Sequence, residues 1–262
     1  VYTCAYYRAE QDDLATAQVA KLDHVCRKLD LQPGMTVVEA GCGWGALALH
    51  MAEQYDARVH AYNVSRAQIE WARTQAAERG LADRVRFVLD DYRNIEEPCD
   101  RFVSVGMLEH VGRANYPVLG DLVRRVLAPE GLALVHSIGR SHPRVADAWI
   151  RKHIFPGGHV PSLGEMSEIF EPHRFTVLDV ENLRLHYART CADWLANFEA
   201  VSDHVTERFG ETFTRMWRLY LAGSSAGFQS GTLQLFQVLF ARGENNAVPR
   251  TRAYMYPAGN AE

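Results

Sequence analysis

One segment of the chain combines a β-branched run with closely spaced glycines: Val37-Val38-Glu39-Ala40-Gly41-Cys42-Gly43-Trp44-Gly45. This order predicts a buried strand that passes through a tight turn into a helix starting near Ala46. Glycine reaches positive φ and lets a ligand approach the main chain, and the first turn of a helix offers unpaired N–H groups. The segment therefore predicts a binding site for an adenosine-bearing cofactor.

Two classes of adenosine cofactor are compatible with this spacing. Gly41, Gly43 and Ala46 fit the G-x-G-x-x-G/A fingerprint of dinucleotide-binding enzymes, so a nicotinamide oxidoreductase has to be considered. In such enzymes an acid at the end of the second strand binds the ribose hydroxyls. Here the second predicted strand, about 58–62, is followed by Asn63 instead, which argues against a dinucleotide.

The third predicted strand supports the other class. It covers about 85–89 and ends in Asp90, Asp91 and Tyr92. A carboxylate and an aromatic face at that point can bind an adenine. Together with the glycine segment, this favours S-adenosylmethionine as the cofactor.

Strand and helix patterns alternate over the first half of the chain. This predicts an α/β fold with a doubly wound, Rossmann-like methyltransferase sheet. Ser65 and Gln68 form an S-x-x-Q capping box at the start of one helix. Helices are predicted at about 15–29, 46–54, 65–80 and 116–127, and further strands at about 100–105 and 132–138.

The alternation stops after Gly139. Residues 140–172 are rich in Pro, Gly, His and Arg and are predicted to form a lid insertion after the fifth strand. A seven-stranded sheet with an antiparallel last strand is completed by a strand at about 175–180, helices at about 191–207 and 211–226, and a strand at about 233–240. Residues 1–242 are therefore assigned to one methyltransferase domain, and 243–262 to a flexible polar tail.

Size and charge limit the function classes. The 262 residues are 47% hydrophobic and 23% charged, which is enough for one large α/β domain. The net charge of −4 argues against a general nucleic-acid binder, for which a basic surplus is expected. The sequence contains no run of about 18 apolar residues, so no membrane span is predicted.

The cysteines bear on the compartment. The five of them form no C-x-x-C pair and are odd in number, so neither a disulfide framework nor a metal cluster is predicted, and a cytoplasmic location is expected. The first residue is Val1 rather than Met. We expect a native N-terminal region to precede it.

Four further segments are informative in combination: Tyr2-Thr3-Cys4-Ala5-Tyr6, Gly106-Met107-Leu108-Glu109-His110-Val111-Gly112, His136-Ser137-Ile138-Gly139 and His186-Tyr187. With the glycine segment and the turn Ile154-Phe155-Pro156-Gly157-Gly158, they closely resemble the cyclopropane-fatty-acyl-phospholipid synthase family, which includes the mycolic acid cyclopropane synthases. The resemblance extends from Tyr2 to about Arg242. These ordered motifs at family-like spacing argue against a chance match.

The resemblance implies an S-adenosylmethionine-dependent C-methyltransferase. Such an enzyme transfers a methyl group to the double bond of an unsaturated phospholipid acyl chain, and a proton then leaves the resulting cation to give a cyclopropane or a methylene- or methyl-branched chain. An alkene has no proton to lose before attack, so the base acts afterwards. A dry pocket with aromatic faces stabilises the cation and excludes water.

In the family the late base is a bound bicarbonate, and the resemblance implies the positions that hold it here. They are Cys4, Glu109, His136, Ile138 and Tyr187. Because Glu109 is itself an acid, we expect it to share protons with His136 in one coupled cluster.

The resemblance also implies the residues that bind S-adenosylmethionine. They are Tyr2, Thr3, Gly41, Gly43, Asn63, Gln68, Asp91, Tyr92 and Val105. Asn63 stands where many family members have threonine, and its amide can still hydrogen-bond a ribose hydroxyl.

Several of these residues are also compatible with a purely structural role. Cys4 alone is typical of a buried structural thiol, Tyr187 of a core aromatic and Gln68 of a capping partner. A group of cations in the predicted lid is either a lipid-headgroup contact or a solvated surface. These cations are Arg140, Arg144, Arg151 and Lys152.

The expected partners are unsaturated phospholipid acyl chains at the membrane surface, with peripheral contact at its inner face, and no nucleic acid; related enzymes with an upstream domain form homodimers. A small-molecule N- or C-methyltransferase of the same fold is the alternative function. A catalytically silent lipid or cofactor sensor is disfavoured, because every expected catalytic side chain is present. The sequence does not separate a cyclopropane from a branched product.

Overall fold

The computed structural model describes residues 1–145 and 147–257 of the chain. Its strands are β1 (Thr36–Ala40), β2 (Arg58–Asn63), β3 (Val85–Leu89), β4 (Cys99–Val105), β5 (Leu127–Gly139), β6 (Phe175–Asn182) and β7 (Gln234–Arg242). They form one sheet in the order β3-β2-β1-β4-β5-β7-β6. β7 is antiparallel to β5 and β6, and the other neighbouring strands are parallel. The predicted seven-stranded methyltransferase sheet with an antiparallel last strand is confirmed.

Helices cover both faces of this sheet. They are α1 (Leu14–Lys28), α2 (Ala46–Tyr55), α3 (Arg66–Glu78), α4 (Leu108–Val111), α5 (Tyr116–Val126), α6 (Ala148–His153), α7 (Leu163–Phe170), α8 (Arg184–Glu199), α9 (Ser202–Phe209) and α10 (Glu211–Gln229). Val37 of β1 packs with apolar residues of α1 and α2, and Val38 packs with those of α5 on the opposite face. A strand that is buried on both faces needs a continuous apolar run, which explains the sequence before the glycines.

The insertion after β5 has two parts. The first, which contains α6, is mostly exposed. The second is α7, which starts with a capping box between Ser162 and Glu165 and has Met166 and Ile169 fully buried in the core beside α5. The predicted lid at 140–172 was therefore too long, because α7 belongs to the core.

Two local predictions were wrong. The helix expected at 191–207 is divided into α8 and α9, and α8 begins early enough to include His186 and Tyr187. The capping box at Ser65 is not formed, because the Gln68 side chain accepts a hydrogen bond from Asn63 instead.

The tail after β7 was expected to be flexible, but its described part packs against the domain. Met255 is 3% exposed and belongs to the core cluster of α1. Arg252 Nε lies 2.6 Å from Asp179 Oδ2 on β6. The remainder of the predicted tail, 258–262, lies outside the described residues.

Within residues 1–145 and 147–257, no helix combines the length and the apolar composition needed to cross a membrane.

Candidate active site

The carboxyl ends of the parallel strands meet at one edge of the sheet, where ligands of open α/β sheets bind. The turn after β1 contains Gly41 and Gly43, with φ of 84° and 53°. A Cβ on Gly41 would lie 2.8 Å from the Cβ of Met107, whereas nothing lies within 4 Å of a Cβ placed on Gly43. Gly41 is thus required by close packing, while Gly43 leaves open space in which a ligand can approach the main chain.

The end of β2 is bound to this glycine turn through its last side chain. Asn63 Nδ2 donates to Gly43 O at 3.2 Å and to Gln68 Oε1 at 2.7 Å. Asn63 and Gln68 therefore lie side by side next to the turn. Both keep polar atoms that can bind hydroxyl groups.

The end of β3 presents Asp91 and Tyr92 in a short 3₁₀ turn. Arg93 donates to both carboxylate oxygens of Asp91, from Nε at 2.8 Å and from the terminal nitrogen at 2.7 Å. These hydrogen bonds hold the pKa of Asp91 below its ordinary value. Asp91 is thus an ionised acceptor, and an adenine amino group would share its oxygens with Arg93.

The N-terminal segment is attached to α1 by two buried side chains that the sequence analysis did not select. Lys21 Nζ donates to Thr3 Oγ1 at 2.9 Å, and Gln18 Nε2 donates to Thr3 O at 2.8 Å. Thr3 in turn contacts Gly106 at the end of β4. The available signal was a lysine and a glutamine, three positions apart, on the buried face of a helix.

Replacing Lys21 by Met removes the donor to Thr3 and keeps the length of the side chain. Because one charge-assisted hydrogen bond is lost, we expect binding of S-adenosylhomocysteine, measured by titration calorimetry, to weaken roughly tenfold. In a Thr3→Val background, Lys21→Met should weaken binding little further, because both substitutions remove the same hydrogen bond. Fully additive losses would show that Lys21 does not act through Thr3.

Glu39 is another buried group that the sequence analysis left without a role. It is 2% exposed, and its Oε2 atom has no hydrogen-bond partner among the described residues. Burial raises the pKa of Glu39 to about 7, against the opposing effect of the Lys21 charge. An unpaired carboxylate oxygen directly before the glycine turn fits the ammonium group of an amino-acid cofactor such as S-adenosylmethionine.

A cavity of about 190 Å³ lies beside these elements. Glu109, Ile138 and Tyr187, three of the residues implied as a bicarbonate site, line it. Thr3 and Gly106 join it to the cofactor side. The rest of its apolar wall includes Phe155, Tyr220, Phe228 and Leu233.

Glu109 lies on α4, immediately after β4. Its Oε1 atom accepts a hydrogen bond from Ile138 N at 2.7 Å, and its Oε2 atom is buried with no partner in the described part of the chain. Burial raises the pKa of Glu109 to about 7, and the hydrogen bond from Ile138 opposes this rise. Glu109, a residue of the cavity wall, therefore keeps one unpaired oxygen, Oε2, while its Oε1 atom engages the Ile138 N–H.

Tyr187 on α8 is held between two aromatic rings. Its ring stacks on Phe228 with centroids 4.6 Å apart and meets the edge of Trp194 at 5.9 Å. Burial raises the pKa of Tyr187 well above its ordinary value, so the hydroxyl keeps its proton. That hydroxyl is a donor at the wall of the cavity that Glu109 also lines.

Cys4 is fully buried behind the cavity and does not line it. Its Sγ atom donates to Ala5 O at 3.1 Å, and its side chain packs in one apolar cluster with Ile138 and Tyr187. Burial raises the pKa of Cys4 above its ordinary value, so the thiol remains protonated. Cys4 is placed to support the cavity wall.

His136 is also buried, and its partner is on the neighbouring strand. The Nδ1 atom lies 3.0 Å from Nε2 of Gln237 on β7. Burial lowers the pKa of His136 to about 3, so the ring is neutral. Glu109 accepts its hydrogen bond from Ile138 N and not from His136, so the expected sharing of protons between Glu109 and His136 stays a prediction.

Two further predicted residues lie at the edges of the site. Tyr2 is 48% exposed at the cavity rim, where its ring stacks on Trp194 at 4.8 Å and its hydroxyl lies 3.3 Å from that of Tyr220. Val105, at the end of β4, is half-buried against the core on the α1 side of the sheet.

The chemistry of the cavity fits a small group that both donates and accepts hydrogen bonds. Glu109 Oε2 is a free acceptor, and the Tyr187 hydroxyl is a donor. Bicarbonate has this combination of donor and acceptor atoms. Of the residues implied for it, the structure brings Glu109, Ile138 and Tyr187 to the cavity and leaves Cys4 and His136 behind the wall.

Comparison with known proteins gives related sequences. The family pattern described as mycolic acid cyclopropane synthetase matches residues 1–238. The chain is 40% identical over 248 residues to the cyclopropane-fatty-acyl-phospholipid synthase of Escherichia coli (strain K12), which covers 94% of this chain and 63% of that protein. It is 32% identical over 250 residues to cyclopropane mycolic acid synthase 1 of Mycobacterium tuberculosis (strain ATCC 25618 / H37Rv), covering 90% of this chain and 87% of that protein. The chain thus spans less than two thirds of the Escherichia coli relative.

Solved structures of methyltransferases superpose on this chain. Mycolic acid cyclopropane synthase CmaA1 complexed with SAH and CTAB superposes with a TM-score of 0.86 at 32% identity, covering 92% of this chain and 89% of the other. Coclaurine N-methyltransferase bound to N-methylheliamine and SAH gives 0.78 at 26% identity, covering 92% and 75%. By its sequence, its sheet and its glycine turn, the chain belongs to the mycolic acid cyclopropane synthetase family, as the resemblance of its motifs predicted.

Proposed function

We propose that the chain is an S-adenosylmethionine-dependent C-methyltransferase that methylates the double bond of unsaturated acyl chains of phospholipids. The relatives named as cyclopropane synthases support this reaction class. The observation that carries the proposal is the cavity itself. Glu109, which keeps an unpaired oxygen, and Tyr187 line a cavity whose wall is largely apolar and aromatic.

The donor site is formed by the ends of the first three strands. S-adenosylmethionine, when bound, supplies an electrophilic methyl group. The proposed binding residues are the nine implied by the resemblance, with Glu39 added for the ammonium group. Lys21 positions the N-terminal segment by holding Thr3.

The acceptor site is aromatic for a chemical reason. Attack by an alkene leaves positive charge on a carbon of the acyl chain, and water would trap that cation. The rings of Phe155, Tyr220 and Phe228 border the cavity, where their faces stabilise positive charge and keep water out.

The late proton acceptor is held at the same wall. Bicarbonate, when bound, would supply the base. Glu109 Oε2 and the Tyr187 hydroxyl are the groups that bind it, and the Ile138 N–H fixes the Glu109 carboxylate. Cys4 and His136 support this wall from behind. The carbon from which the proton is lost decides whether a cyclopropane or a branched chain forms.

The same proposal includes the setting of the reaction. Residues 1–242 form the catalytic domain, which works in the cytoplasm in peripheral contact with the inner face of the membrane. The protein is proposed to form a homodimer.

Incubation with methyl-labelled S-adenosylmethionine tests the reaction class. We expect label in phosphatidylglycerol that carries a monounsaturated chain, and none in its saturated analogue. An N-methyltransferase is the second candidate, because the fold is similar to coclaurine N-methyltransferase. Label in a benzylisoquinoline amine but not in unsaturated lipid would favour that function, and label in neither would refute both.

A further inference from the structure

Two cavities meet beneath the segment between β5 and α7. The apolar cavity that contains Glu109 has a neighbour of about 460 Å³. Arg151, Gly158 and His159 line both cavities. An amphiphile with its chain in the first cavity would place its polar head in the second.

Three arginines surround the junction. Arg140 and Arg151 line the apolar cavity, and Arg144 and Arg151 line the larger one. Among the residues that the structure describes, no carboxylate oxygen lies within 4.0 Å of their guanidinium groups. Arg140 Nε is buried and has no hydrogen-bond partner there. Arg140 is half-buried and Arg144 and Arg151 are exposed, so their guanidinium groups are accessible to an anion.

Two carboxylates that line the cavities, those of Asp147 and Glu165, form no ion pair with these cations. Asp147 accepts hydrogen bonds from the main chain of α6 at Trp149 and Ile150. Glu165 is 5% exposed and accepts from Ser162 N and from Arg113. Neither carboxylate is within ion-pair distance of the three arginines, so the guanidinium N–H groups remain available to a ligand.

We infer that Arg140, Arg144 and Arg151 form a discrete phosphate-binding subsite at the head end of the acyl cavity. Guanidinium groups match phosphate oxygens in pairs, which makes arginine suited to this ligand. The ligand is the phosphate ester of a lipid headgroup or a free phosphate ion. As a headgroup site it rests on the proposed function, and it would select phospholipids over neutral lipids with the same acyl chains.

The chain offers a matched control for this subsite. Lys152 follows Arg151 on α6, is exposed, and lines neither cavity. Arg151→Gln and Lys152→Gln remove the same charge from neighbouring positions. Diffuse attraction to a negative membrane predicts similar effects for both variants, whereas a discrete subsite predicts a large effect at Arg151 alone.

Binding of a soluble phospholipid tests the subsite without requiring catalysis. Dihexanoyl phosphatidylglycerol, below its micelle concentration, is titrated calorimetrically into the protein and its two variants, with dihexanoylglycerol as the neutral ligand for comparison. We expect Arg151→Gln to weaken phospholipid binding at least tenfold and Lys152→Gln to change it less than twofold. Equal affinity of the protein for the two ligands would exclude a headgroup site.

Inorganic phosphate separates the two sources of the ligand. If phosphate binds and the neutral lipid binds as well as the phospholipid, the subsite takes free phosphate. The inference is wrong if phosphate does not bind and the phospholipid binds no more tightly than the neutral lipid. It is also wrong if Arg151→Gln and Lys152→Gln weaken phospholipid binding equally. These binding results are independent of methyl transfer, so failure of the proposed reaction is recognised separately by the label experiment.

Discussion

Glu109→Gln is expected to abolish most of the methyl transfer, by a factor of about 10²–10⁴, because the unpaired carboxylate oxygen of this cavity residue is replaced by an amide donor. The Gln oxygen can still accept the hydrogen bond from Ile138 N that Glu109 accepts at 2.7 Å. Binding of S-adenosylhomocysteine should therefore change little. Initial rates with labelled donor, with calorimetry of the cofactor product, measure the two effects separately.

A stability measurement distinguishes lost chemistry from lost folding in this variant. The folded-state pKa of Glu109 is raised to about 7 by burial, from an ordinary value of 4.5. The folded state therefore binds the proton more tightly, and the contribution of this group to stability is present below pH 4.5 and is lost as the pH rises through about 7. Glu109→Gln should thus unfold at a higher temperature than the natural protein at pH 8 but not at pH 4.5. An inactive variant that is less stable at pH 8 would contradict this account.

Lys28→Met is expected to lower the free energy of unfolding by about 3–5 kcal/mol, because it removes the buried cation that two carboxylates share. Lys28 is 0% exposed, and its Nζ lies 3.0 Å from Asp179 Oδ1 and 2.6 Å from Glu181 Oε2. These contacts join α1 to β6. Since α1 also carries the Lys21 contact to Thr3, the variant should weaken cofactor binding as well. Urea unfolding followed by circular dichroism measures the loss.

The control for Lys28→Met removes the repelling charges together with the lysine. A triple variant with Asp179→Asn and Glu181→Gln should recover part of the stability. The pKa of Glu181 is lowered to about 2 because its hydrogen bond to His24 and the Lys28 charge outweigh its burial. Its stabilising contribution is therefore present above pH 4.5 and is lost as the pH falls toward 2. The loss of stability at low pH should be smaller in Lys28→Met. An unchanged acid-unfolding transition would show that the contact between Lys28 and Glu181 contributes little to stability.

The sheet was predictable because its strands are buried on both faces and end in recognisable turns. Val37 and Val38 precede glycines that need positive φ, and that local pattern is sufficient to place the cofactor edge. The predicted bounds of elements whose place depends on tertiary packing were less accurate than those of the strands. α7 is an amphipathic helix that follows a flexible-looking sequence, so its place in the core is evident only from its buried residues Met166 and Ile169.

The candidate site was predictable by motif and not by geometry. Glu109, Ile138 and Tyr187 come from distant parts of the chain, and only the fold shows that they share one cavity. The partner of His136 was not predicted, because it is Gln237 on the neighbouring strand β7, and strand pairing is not evident from the motif. Lys21 and Glu39 were missed because their roles depend on burial and on unpaired atoms, which sequence patterns do not report.

The central claim is that this cavity brings a sulfonium methyl group to a carbon–carbon double bond. The most direct measurement uses S-adenosylmethionine with a trideuterated methyl group and a monounsaturated phospholipid, with mass spectrometry of the released acyl chains. The account predicts a product one carbon heavier that retains two deuterium atoms when the transferred methyl group loses a deuteron, as in a cyclopropane or a methylene branch. It retains three when a proton of the acyl chain is lost to give a methyl branch. Acyl chains that gain neither carbon nor deuterium, under conditions in which the protein binds both ligands, would contradict it.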